Sequence, residues 1–273
     1  MVPEHRKGRG WREIGFYAAV VLGLLLVAFG LGELLFLGFA GWLGADVLDD
    51  LYPGASIHRV HILGHAIVAW MLALCLLAQA VRPRTSFATS ALALAIIVLY
   101  TAAALVSGVF SGVELVGLAA LAAMVWLHPT RPATAFLPVR PASLLCAAPL
   151  AVGAAIYAAT QFGTQLAASS SEPHAMFGHY GIMGGLAAMV AVGALLGSSS
   201  LGGARGSGLL AAGGALVFGV ASIVFQSSAS SLGMALGFGV VAASLATAAG
   251  TIVARHDLAA APMEMAQHGQ QSG

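Results

Sequence analysis

Three histidines recur at spacings of three and four residues in Ser56-Ile-His-Arg-Val-His-Ile-Leu-Gly-His65. On an α-helix turning about 100° per residue, His58, His61 and His65 share one narrow face. A second group, Glu172, His174 and His179, opens a later apolar segment. Glu172 and His179 are seven residues apart, so a continuous helix puts them on one face as well. In such a helix His174 points elsewhere, and it joins them only where the first turn is irregular at Pro173. Neutral imidazole is the commonest metal ligand, and carboxylates complete such sites or orient the rings. His61 and His65 have the i, i+4 spacing with which a single helix grips an ion. The candidate metal ligands are therefore His58, His61, His65, Glu172, His174 and His179. Alternatively, His65 and His179 approach from the two segments and ligate a haem iron from both sides. The cofactor expected is haem b or a transition-metal ion, with copper, zinc and iron as the metals.

The elements that position these residues are long and apolar. Of 273 residues, 59% are hydrophobic and 8% charged, whereas a soluble domain carries about 25% charged residues. The deficit runs through nearly the whole chain, so the fold expected is an all-α integral membrane protein with the lipid bilayer as its first partner. Net charge is +1, which leaves no electrostatic footprint for nucleic acid. A crossing helix needs about 20 apolar residues. The hydropathy pattern predicts eight transmembrane helices, over 14–38, 58–81, 87–108, 112–128, 142–165, 173–197, 208–226 and 231–254. Arg82-Pro-Arg-Thr-Ser86, His128-Pro-Thr-Arg-Pro132 and Gly202-Gly-Ala-Arg-Gly-Ser207 separate them as turns. One connection, Gly38 to Ile57, is long and carries Asp46, Asp49 and Asp50. The apolar run from Ile14 to Leu37 is too long for a signal-peptide core and reads as a retained first crossing.

These spans put Arg6, Lys7, Arg9, Arg12, Arg82, Arg84, Arg131, Arg140, Arg205 and Arg255 on one side and only Arg59 on the other. Cytoplasmic loops are the basic ones, so the expected location is the plasma membrane with both termini cytoplasmic. Both histidine groups then face outward. So do Glu33, Glu114, Gln161 and Gln226, and Glu33 and Glu114 are candidates for a second shell that orients the ligands.

Gly64-His65 aligns with Gly178-His179, Ser56 then meets Ser170, and His58 meets Glu172. The pattern predicts an internal repeat. A cytoplasmic N-terminus, 1–13, leads into a first four-helix half, 14–128. A linker, 129–141, joins it to a second half, 142–254, and a disordered polar tail, 255–273, follows. Ser56 and Ser171 read as N-caps. His128 and His256 read as partners of helix dipoles at cytoplasmic ends. Met263, Met265 and His268 belong to the tail, and Cys75 and Cys146 read as packed thiols.

The layout resembles the haem A synthase family, which also joins two four-helix halves with histidines near the outer ends of core helices. His65 and His179 carry the resemblance, which implies a haem held between the halves. In that family a second histidine recurs at the outer start of the fourth helix of each half. Here those starts read Ser111-Gly-Val-Glu114 and Ser230-Ser-Leu-Gly233. The functional expectation is a metal- or haem-binding membrane protein, either an electron carrier or a membrane oxidoreductase. The alternatives are a transporter for copper, zinc, nickel or cobalt, and a non-catalytic subunit that binds a membrane or extracytoplasmic protein partner. No HExxH, phosphate loop or Ser/His/Asp order is present, so hydrolase and nucleotide chemistry have no support.

Overall fold

The computed structural model describes residues 7–51, 54–130, 139–169 and 171–253. Outside these lie Arg6, Arg131, Ser170 and Arg255, and with them His256, Met263, Met265 and His268 and most of the linker. The described chain is helical, with one isolated β-bridge between Val139 and Ser199. In lipid every backbone N–H and C=O must be satisfied within the protein, and a helix does this along its own length.

The helices are α1 (Lys7–Gly30), α2 (Gly32–Ala40), α3 (Ala45–Leu51), α4 (Arg59–Val81), α5 (Phe87–Val106) and α6 (Val113–Leu127). They continue with α7 (Pro141–Ala167), α8 (Pro173–Met176), α9 (His179–Gly197), α10 (Ala204–Val224) and α11 (Gly233–Val253). Among the described residues, seven segments are long and apolar enough to cross a membrane, and α6 is a shorter apolar helix. This is a multi-pass helical membrane protein. Its most enclosed crossing helices are α4 and α9, which bear His61, His65 and His179 and pack on each other. At their crossing, a Cβ on Gly64 would collide with the Met183 sulfur, so glycine lets the two backbones approach.

Several expected boundaries move. The segment 14–38 is two helices, because Leu31, between Gly30 and Gly32, leaves the helical conformation at φ −124° and ψ 5°. Two glycines around one residue lower the helical propensity there. The connection from Gly38 to Ile57 holds the end of α2, all of α3 and a 3₁₀ turn over Ala55–His58. The segment 173–197 breaks at Gly178, which lies at φ 69°.

The end of the bundle away from the histidine groups is closed by a polar knot. Gln79, fully buried, donates to the Ser86 carbonyl at 2.7 Å and to Thr89 Oγ1 at 2.6 Å. Its amide oxygen accepts from His128 Nε2 at 3.2 Å. The His128 ring stands edge-on between Phe16 and Phe87, at 5.4 and 5.1 Å between centroids. His128, at the C-cap position of α6, is thus an enclosed strut joining α1, α4, α5 and α6.

Candidate metal centre

The 3₁₀ turn Ala55–His58 feeds His58 into α4, where His61 and His65 follow on the same face. Its entry is fixed from α3. Asp49 accepts from the Ser56 amide at 2.8 Å and from Ser56 Oγ at 2.7 Å. Those bonds hold the Asp49 carboxyl below its ordinary range, with a smaller contribution from Arg59. Ser56 is therefore not the N-cap of α4, whose N-cap position is His58 with no side-chain cap bond.

On the other side, Glu172 caps α8, and Ser171 does not. The Ala175 amide donates to Glu172 Oε2 at 2.6 Å, and His174 Nδ1 donates to Oε1 at 2.7 Å. Burial opposes the charge, but the bonds from His174 and Ala175 outweigh it and hold the Glu172 carboxyl below its ordinary range. The left-handed turn at Gly178 then redirects the chain into α9. This break separates Glu172 and His179, which a continuous helix would carry on one face, onto different elements. It also brings in His174, the residue that a regular helix would have turned away.

Four imidazoles pack around one point. Ligand atoms of His58, His61 and His179 all lie within 4.8 Å of one another. The His179 ring is 4.6 Å from His58 and 4.7 Å from His61, nearly parallel to the latter at 19°. His174 stands 4.7 Å from His58 and 5.0 Å from His61. His65 lies deeper along α4, with its ring 6.2 Å from that of His179. Phe177 and Tyr180 wall the cluster. Phe177 is 5.7 Å from His179, and Tyr180 is 5.8 Å from His174.

The hydrogen-bond inventory of these rings is incomplete in a uniform way. Nδ1 of His58, His61, His65 and His179, and Nε2 of His174, are buried without a partner among the described residues. A buried polar atom left unpaired costs about 1–3 kcal/mol. The group formed by His58, His61 and His179 could hold a metal ion, since neutral imidazole nitrogens suit zinc, copper, iron and nickel.

Residues outside the two histidine segments complete the site. His61 Nε2 lies 2.9 Å from Ser230 Oγ, and Ser230 Oγ donates to Gln161 Oε1 at 2.8 Å. Tyr157 OH donates to the Ser230 carbonyl. The Arg59 guanidinium rests 4.7 Å over the Phe225 ring, in the α10–α11 connection that carries Ser230. Gln161 stood out in the sequence as a polar residue near a helix end. Ser230, Tyr157 and Tyr180 did not, because a serine inside Ser227-Ser-Ala-Ser-Ser231 carries no distinguishing signal.

The remaining expected residues stand apart. Glu33 is exposed on α2. Glu114 is buried and accepts from the Ser111 amide at 3.3 Å and Ser111 Oγ at 2.9 Å. No hydrogen bond among the described residues joins either carboxylate to the histidines. Gln226 is exposed beyond the end of α10.

No protein-family model matches the chain, no curated protein matches it, and no solved structure matches its fold.

Proposed function

We propose that this protein is a membrane metalloprotein. It holds one transition-metal ion through His58, His61 and His179, with His174 completing the set, and serves electron transfer or a membrane oxidoreduction. One observation carries the reading: five imidazole nitrogens from two chain segments are buried and unpaired among the described residues, and ligand atoms of His58, His61 and His179 lie within 4.8 Å of one another. A single ion suits the cluster better than haem b. A porphyrin between His65 and His179 needs a broad flat slot, and the His58 and His61 rings already stand within 5 Å of His179.

A resident ion is favoured by what lies beneath. Below His65 the meeting faces of α4 and α9 are apolar, with Val68, Leu72, Leu76, Leu186 and Met189 buried. A second reading, passage of a soft ion such as copper(I), has one observation in its favour. Met183, one turn below His179, sets its sulfur against Gly64, next to His65, and Met71, Met189 and Cys75 continue in the same core. Thioether and thiolate ligands select copper(I).

The architecture in this reading is eight crossings in two four-helix halves, in the plasma membrane, with both termini cytoplasmic and the histidine cluster near the outer face. Helix contacts support the repeat. Packing of α1 on α4 and α6 is matched by α7 on α9 and α11. Packing of α5 on α4 and α6 is matched by α10 on α9 and α11, and the cross pair α4–α10 is matched by α9–α5.

The test is elemental analysis and visible spectroscopy of the detergent-solubilised chain. The expected result is one bound transition-metal ion per chain, no Soret band, and loss of the ion in His61→Ala and His179→Ala. A Soret band lost in His65→Ala or His179→Ala would establish the haem reading instead. Neither metal nor haem would leave a non-catalytic subunit that binds a protein partner. A reversible redox couple of the bound ion supports electron transfer, whereas ion uptake into proteoliposomes supports transport.

A further inference from the structure

Seven described residues have a positive φ. Six are glycines, and the seventh is Ser230, at 62°. A side chain in the left-handed region is uncommon and costs conformational energy that glycine avoids. The strained backbone is held from its surroundings: Tyr157 donates to its carbonyl, and the adjoining Ser231 Oγ donates to the Ser222 carbonyl at 3.0 Å. Strain of this kind clusters at sites where it serves a purpose.

The hydroxyl of Ser230 lies between His61 and Gln161. Ser230 has one proton to give, and it goes to Gln161 Oε1 at 2.8 Å. Its oxygen can then only accept from His61, so Nε2 of His61 carries the ring proton across their 2.9 Å contact. A neutral imidazole protonated at Nε2 has its lone pair on Nδ1. Nδ1 is the His61 nitrogen that is buried and unpaired. His174 is its mirror case, with Nδ1 given to Glu172 and Nε2 left open.

We infer that Ser230 is a positioning residue of the metal centre. Relayed through Gln161, its hydroxyl locks His61 in the Nε2–H tautomer and turns Nδ1 to the ion. The inference rests on the metal-centre reading and assigns the ligating atom within it. Metal-bound histidines characteristically donate their second N–H in this way, and loss of the acceptor lowers metal affinity about 10–100-fold.

The experiment is titration of cobalt(II) into full-length wild type, Ser230→Gly and Gln161→Leu in detergent. Binding is read from the visible d–d bands, with thermal melting of the metal-free forms alongside. Ser230→Gly relaxes the backbone while removing the hydroxyl. The expected result is an unchanged or higher melting temperature together with about 10–100-fold weaker cobalt binding and altered bands. Gln161→Leu, which frees the serine proton to point at His61, is expected to weaken binding as well. Wild-type affinity and spectrum in Ser230→Gly would overturn the inference. So would a fall in affinity accompanied by a lower melting temperature, which marks a role in folding alone. If wild type itself binds no cobalt, the metal centre fails and the inference fails with it.

Discussion

Glu172 does two jobs with one carboxylate, and substitution separates them. It caps α8 through the Ala175 amide and orients His174 through Nδ1. Glu172→Gln keeps an acceptor for the amide but exchanges a charged partner of His174 for a neutral one. Metal affinity is expected to fall about 10-fold or more with the helical content intact. Glu172→Ala is expected to lose the cap as well, at about 1 kcal/mol. The acid dependence has a definite sign. A carboxyl whose folded-state pKa lies below its ordinary value of 4.5 stabilises the fold fully above that value. The contribution fades as pH falls through the lowered pKa. The melting difference between wild type and Glu172→Gln is therefore expected to shrink as pH falls below 4.5. A difference that grows on acidification would contradict this geometry. At this scale the ligand types were legible, because histidines at the mouths of apolar segments stand out against a chain with 8% charge. His174's place and Ser230's role were not legible. The first depends on a backbone break and the second on a loop folded back from a distant part of the chain.

Among the elements, the turn between α8 and α9 decides whether His174 and His179 meet. Gly178 sits at φ 69°, and a Cβ there would lie 2.7 Å from Ser107 Cβ and 3.0 Å from Val109 Cγ2. Gly178→Ala therefore meets both a left-handed backbone penalty of about 1–2 kcal/mol and overpacking of about 1–3 kcal/mol. Thermal melting is expected to drop, and metal binding to fall with it, since the α8–α9 offset brings the two rings to 6.0 Å. Gly64 offers the control. A Cβ there would meet the flexible Met183 thioether, which can swing aside, so Gly64→Ala is expected to cost less stability. Equal losses at the two positions would refute the special status given to the Gly178 turn. Hydropathy located α4, α5, α6, α7, α10 and α11 to within four residues, because the bilayer fixes the length of a crossing, but it misplaced the ends of α1 and the start of α9. It missed the interruptions at Leu31 and Gly178, since an apolar sequence reads the same on either side of a kink that neighbouring helices stabilise.

At the scale of the whole molecule the open question is α6. Its 15 residues span about 22 Å at 1.5 Å per residue, short of a hydrocarbon core about 30 Å thick. Its ends nevertheless reach both ends of the bundle. Glu114 and Ser111 lie just past the connection from Val106 of α5. His128, one residue past the other end of α6, bonds to Gln79 near the end of α4 and packs on Phe87 at the start of α5. Helix α6 therefore runs back along α5 over the same distance, and local thinning of the bilayer or snorkelling of the flanking residues can absorb the shortfall. The prediction is eight crossings. Tags at the two termini should be accessible from the same side of the membrane, and a membrane-impermeant maleimide should separate two exposed positions. Ser169→Cys, near the histidine cluster, is expected to react from the side opposite the tags. Thr85→Cys, at the polar knot, is expected to react from the tags' side. Tags on opposite sides would mean that α6, or one of its neighbours, does not cross. The proposed arrangement in two four-helix halves would then fail, while the packing of α4 on α9 would stand.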